Sequence, residues 1–138
     1  MLKKILKSQS GEGYIDVVIM VLATMMMLVI SINIFAIIME KQNLDYFAKE
    51  LLNTASTYGR IGTEVNIRYN ELKAQTGLSP NVTWTATYFD STDKKVQLAD
   101  TITVKLTLTT SFQGTGEFVP IPITLTAGGS TLSERYWK

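Results

Sequence analysis

The sequence predicts an α+β protein. A long N-terminal helix crosses a membrane and continues into a small outer domain, which a short second helix and an antiparallel sheet of about four strands complete. Three observations lead there. From Val17 to Met39 there is no charge, and only Thr24, Ser31 and Asn33 interrupt the apolar run. From Leu44 to Tyr58 apolar residues recur at i, i+3, i+4 and i+7, the mark of a one-faced helix. From Asn81 onward the period falls to two, with threonine in alternate places, as half-buried strands require.

As a helix rising ~1.5 Å per residue, the uncharged run is roughly 35 Å long, enough to cross a hydrocarbon core of about 30 Å. It exceeds the ~7–15 apolar residues of a cleavable secretory signal, and the bulky stretch from Phe35 to Met39 lacks a small-x-small cleavage site. Lys3, Lys4 and Lys7 precede the run, whereas Glu40, Lys41 and Asp45 follow it without a basic excess. The positive-inside rule therefore puts the N-terminus in the cytoplasm and everything beyond Met39 outside. Neither Gly nor Pro occurs between Tyr14 and Tyr58. One helix of roughly 65 Å, at ~1.5 Å per residue, is expected, apolar all round first and one-faced afterwards.

Gly59 and Gly62 end that helix and are its candidate hinge. A second helix is expected from Thr63 as N-cap to about Thr76, with Val65, Tyr69 and Leu72 on one face and Gly77 and Pro80 closing it. Val82, Trp84, Ala86 and Tyr88 then alternate with threonines, as do Ile102, Val104, Leu106 and Leu108, and again Ile121, Ile123 and Leu125. A short strand near Val96 to Leu98 is expected to pair with the first of these across an Asp-Ser-Thr-Asp turn. Pro122 predicts an edge position or a strand start, and Leu132 and Tyr136 a last strand or a docked tail. The outer half of the long helix is the natural cover for the sheet's apolar face. The organisation is thus a basic leader (1–11), a transmembrane half-helix (12–39), an amphipathic half-helix (40–58) and an outer helix plus sheet (59–138).

At 138 residues the chain holds one small domain besides the helix, and a formal net charge of +1 gives no field that would favour nucleic acid. The absence of cysteine excludes disulfides and thiolate chemistry, and the absence of histidine removes the commonest general base and metal ligand. Carboxylates are scattered without a positioned pair, and the many Ser and Thr have no His partner. No catalytic site, cofactor, metal or small-molecule substrate is expected.

Asp16 stands at the cytoplasmic mouth of the span, flanked by Ile15 and Val17. Such a carboxylate either favours the helix dipole by ~0.3–1 kcal/mol or needs a partner. It is also the fifth residue after Gly11, which closes a short basic leader. A basic leader, a glycine, an acid at the fifth place beyond it and then an apolar helix together resemble the processing site of type IV pilins and pseudopilins. Among these the chain is most similar to the small TadE-like pseudopilins of tight-adherence pili. The resemblance implies that a prepilin peptidase cuts between Gly11 and Glu12. It further implies that Asp16 neutralises the new terminal amine of a neighbouring subunit, and that copies of the chain or other pilins assemble through this helix. The family usually has glutamate where this chain has Asp16. The other reading of the same architecture is an uncleaved single-pass module anchored in a secretion or conjugation apparatus.

The remaining motifs have plain explanations. Asp90 and Asp93 lack calcium-loop spacing and suit a solvated turn. Asn81-Val82-Thr83 fits a glycosylation triplet, but threonine alternates there for strand reasons. Gly114 and Gly116 precede no helix, so a hairpin loop is expected rather than a nucleotide cradle. Asn33 has two possible partners, a neighbouring helix for about 0.6–2 kcal/mol or a carbonyl of its own helix. Trp84, Tyr136 and Trp137 read as core or rim aromatics.

Overall fold

No proline occurs before Pro80, so nothing in the first part of the chain denies the backbone a helical donor. The outcome is helix α1, Leu2–Tyr58, followed by α2, Thr63–Thr76. The strands are β1 (Asn81–Ala86), β2 (Tyr88–Asp90), β3 (Lys95–Val96), β4 (Thr101–Phe112) and β5 (Ile121–Leu132). The structure is a computed structural model; it describes the backbone of residues 2–112 and 120–138 and the side chains of residues 13–112 and 120–138. The loop around Gly114 and Gly116 lies outside the described residues.

The helix passes through Met39 and Leu44 without a break, as the continuous pattern predicts. Its outer half supplies the core of the head. Leu44, Phe47, Ala48, Leu51 and Ala55 pack against Ile102, Val104 and Leu106 of β4 and Ala127 of β5, while Val65 and Leu72 close the other side from α2. Leu44, Phe47 and Leu51 are fully buried, each stabilising the head by about 1.5–3 kcal/mol. Phe47 meets the Tyr69 ring edge-on at 5.2 Å, and the Tyr69 hydroxyl donates to Pro80 O at 3.0 Å, tying α2 to the start of β1.

The main sheet is antiparallel, in the order β1-β4-β5, with β2 and β3 forming a separate two-stranded sheet. The α+β fold is as expected, with the strands divided three and two between two sheets where about four in one were expected. The predicted first strand breaks at Thr87 because β4 begins at Thr101: Ala86 pairs with Ile102, and Tyr88 has no β4 residue to face. Val96 pairs with Tyr88 of β2 and not with the Asn81–Ala86 strand. The turn between β2 and β3 is set by Asp90 Oδ1, which accepts Thr92 N–H at 2.9 Å. β5 is an edge strand, as Pro122 suggested, but it runs on through Gly128 and Gly129 to Leu132.

α2 starts one residue away from its expected cap. Gly62 is the N-cap, and Thr63 is the first helical residue with no side-chain bond to the open amides. Its end is as predicted: Gly77 adopts φ +70° and returns its N–H to Lys73 O.

Candidate functional site

The feature with most to say about function is the surface of α1 below the head. From Tyr14 to Met39 large apolar side chains are exposed on every side of the helix, Met27 at 74% and Phe35 at 64%. Five residues further, Leu44 is at 0%. The segment is long and apolar enough to cross a membrane, and none of its most apolar stretch is covered by the rest of the chain. Three of its polar side chains donate to carbonyls of their own helix. Thr24 Oγ1 donates to Met20 O, Ser31 Oγ to Met27 O and Asn33 Nδ2 to Val29 O, each at 2.8 Å. Asn33 thus takes the intrahelical of its two partners, and its Oδ1 has no partner among the described residues.

Gly11 lies inside the helical backbone, but the side chains of the leader and of Glu12 fall outside the described residues. Asp16 is exposed on the helix surface and forms no ion pair among the described residues. At the upper end of the span Lys41 pairs with Asp45, whereas Glu40 Oε2 is buried and has no partner among the described residues.

Gly59 and Gly62 form a turn that the C-terminus holds shut. Gly59 takes φ +61°, donates its N–H to Ala55 O at 2.9 Å, and accepts Val96 N–H at its own carbonyl at 2.8 Å. The indole N–H of Trp137 is shared between Gly59 O and Val96 O at 3.1 Å each. Gln97 grips the Trp137 backbone twice, accepting its N–H at 2.7 Å and donating to its carbonyl at 2.9 Å. Lys95 and Arg135 stand against the indole ring, 5.0 and 5.2 Å from its centroid. The buried hydroxyls of Ser56 and Ser133 bond to Leu132 O and Val96 O. A position read as a hinge is therefore pinned from three directions. Sequence reasoning assigned no partner to Trp137, because its contacts lie some forty and eighty residues back along the chain.

Glu64, Arg68 and Glu71 of α2 are all engaged in ion pairs. Arg68 bridges Glu50 at 2.6 Å and Glu71 at 2.9 Å, and those bonds push its guanidinium further above its ordinary range. Arg60 pairs with Glu64, and this hydrogen bond holds the Glu64 carboxyl below its usual value. Lys95 does the same to Asp93. The open groove between α1 and α2, about 250 Å³ and lined by Tyr58, Glu64, Ile67 and Arg68 among others, is bordered by these pairs. Among the described residues no three acidic side chains converge as a metal site would require.

Comparison with known proteins adds one result. No curated protein and no solved structure matches the chain. A family model described as a domain of unknown function (DUF4320) matches residues 21–138, which takes in most of the apolar span and the whole head but begins beyond Gly11 and Asp16. The chain belongs to that family, the domain of unknown function DUF4320.

Proposed function

We propose that the chain is a pilin-like structural subunit of a type IV, Tad-like pilus or a related surface filament or secretion apparatus, assembled through its N-terminal helix. The observation that carries this reading is the division of labour along α1: an uncovered apolar length, then the core of a small α+β head, with no linker between. Lysines before the span and none in excess after it favour a cytoplasmic N-terminus and an extracytoplasmic head. In this reading a prepilin peptidase removes residues 1–11 and leaves an ammonium at Glu12. Asp16 of a neighbour pairs with it, because either charge alone in a low-dielectric seam costs several kcal/mol. No reaction, cofactor or nucleic acid is assigned to it.

One observation favours a second reading, an uncleaved single-pass module docked in a secretion or conjugation apparatus. The family match covers span and head but not the glycine–acid motif. Intact mass separates the two. The native protein, co-expressed with a compatible prepilin peptidase, is expected to lose Met1 to Gly11. A chain that keeps its leader in every fraction refutes the pilin reading and leaves the anchored module.

A further inference from the structure

The β4–β5 ladder is longer than the sheet it belongs to. β1 pairs with β4 only from Ile102 to Thr107, whereas β5 continues the pairing to Phe112. The two strands therefore project past β1 as an arm, ending on the pair Phe112–Ile121.

The direction of the arm follows from two anchor points. Leu132 O accepts the Ser56 hydroxyl at 2.6 Å, and the Cβ position of Gly129 lies 3.1 Å from Leu52 Cδ1. β5 thus runs alongside α1 in the same sense, its end beside the end of the helix and its start towards the apolar span. From Gly129 back to Ile121 the strand covers about 26 Å at ~3.3 Å per residue. From Leu52 back to Met39 the helix covers about 20 Å at ~1.5 Å per residue. A strand inclined by as much as roughly 40° to the helix still projects about 20 Å along it. The start of β5 thus reaches the level of Met39, where the uncharged run of α1 ends and a bilayer surface would lie.

The composition of the arm suits that level. Between Lys105 and Glu134 the sequence carries one charge, Glu117, and no described residue of the arm is charged. Ile121 is 54% exposed, Pro122 is exposed beside it, and the threonines of both strands supply hydroxyls that can bond to either headgroups or water. Described residues that carry no charge and leave an isoleucine and a proline bare are poorly matched to bulk water and suit the headgroup–acyl boundary.

We propose that the Phe112–Ile121 end of the arm rests in the interfacial layer of the outer leaflet, giving the head a second contact with the lipid surface beside α1. The inference rests on α1 crossing a bilayer and not on assembly into a filament.

Because the chain has no cysteine, single labels can be placed on the full-length protein in vesicles of phosphatidylcholine carrying headgroup-nitroxide lipid. A polarity-sensitive fluorophore is attached at Ile121→Cys, at Leu132→Cys and at Phe35→Cys. Ile121 and Leu132 are equally exposed, 54% each, at opposite ends of one strand, so exposure to solvent alone does not separate the two labels. The expected result is a blue-shifted emission and loss of intensity to the nitroxide at 121, as at 35, with neither at 132. Phe112→Cys repeats the measurement from the other strand should the Ile121 variant fail to fold. Labels at 121 and 112 that behave like 132, while 35 is quenched by lipid, overturn the arm contact alone. A label at 35 that lipid does not quench overturns the membrane span and the arm contact together.

Discussion

Replacing Gly59 with alanine tests whether the C-terminal tail closes the head. Gly59 has φ +61°, a conformation that costs an L-residue about 1–2 kcal/mol. A Cβ there would also sit 2.5 Å from Arg135 Cβ, 3.1 Å from Ser133 Oγ and 3.2 Å from Trp137 Nε1. The first of these is an atom fixed to the backbone, so the tail itself must move. Moving it gives up the Trp137 indole bonds to Gly59 O and Val96 O, about 1 kcal/mol each. The sum is roughly 3–4 kcal/mol, a large part of the ~5–15 kcal/mol that holds a domain together. For a head of this size that lowers Tm by roughly 12–32 °C. Gly77→Ala is the control: its φ is +70° but its Cβ position meets nothing within 4 Å. It is expected to cost about 1 kcal/mol and roughly 5 °C. Both are measured on the full chain in mild detergent by thermal melts in near-ultraviolet circular dichroism, which follows the packed aromatics of the head. Equal losses for the two variants would refute the tail's role, because backbone conformation alone would then account for both.

Two further predictions concern charge. Asp16→Asn should insert and be processed like the parent yet be depleted from sheared-surface fractions on immunoblots, with Asp16→Glu retained; equal assembly of the Asn form would reduce Asp16 to a helix-end charge. The Glu64 carboxyl is held below its usual value of about 4.5 by its hydrogen bond from Arg60, so the pairing adds stability above that pH that is lost as pH falls through the lower folded value. Solvent screening keeps this loss small, and Asp93, lowered by Lys95, acts in the same direction. The Tm of the Glu64→Gln chain should therefore fall less steeply below pH ~4.5 than that of the parent; identical acid limbs would show that the pair contributes nothing.

What the sequence made legible were the features written in local periodicity. The apolar run to Met39, the one-faced repeat from Leu44 to Tyr58 and the alternation along β4 each recur every few residues. The structure places the same residues in the uncovered apolar helix, the core and the sheet. Gly77 was legible for a similar reason, since a glycine past the last apolar helical position has one common use. The break at Thr87 was not, because alternation continues through Ala86, Thr87 and Tyr88 while only the pairing partner changes. The length of β5 was hidden by Gly128 and Gly129, which look like breakers. In the sheet they lie opposite Lys105 and Val104, and Leu52 packs over the second. The tail node was hidden by distance: Trp137, Gln97 and Gly59 belong to separate segments, and no local pattern joins them. For the candidate site, the apolar helix was legible in full, and Asn33 left a choice between two partners that only coordinates resolve.

The unbroken passage of α1 from span to head makes it a torsional shaft. A helix turns ~100° and rises ~1.5 Å with each residue. Whatever grips the apolar length therefore sets the azimuth of the head as well as its height. Adding one residue between Met39 and Leu44 would swing the sheet by more than a quarter turn while lifting it by hardly more than a bond length. Two such residues would aim it almost backwards. The outward threonine face of the sheet and the uncovered apolar length of α1 are thus indexed to each other, and whatever holds the one dictates where the other looks.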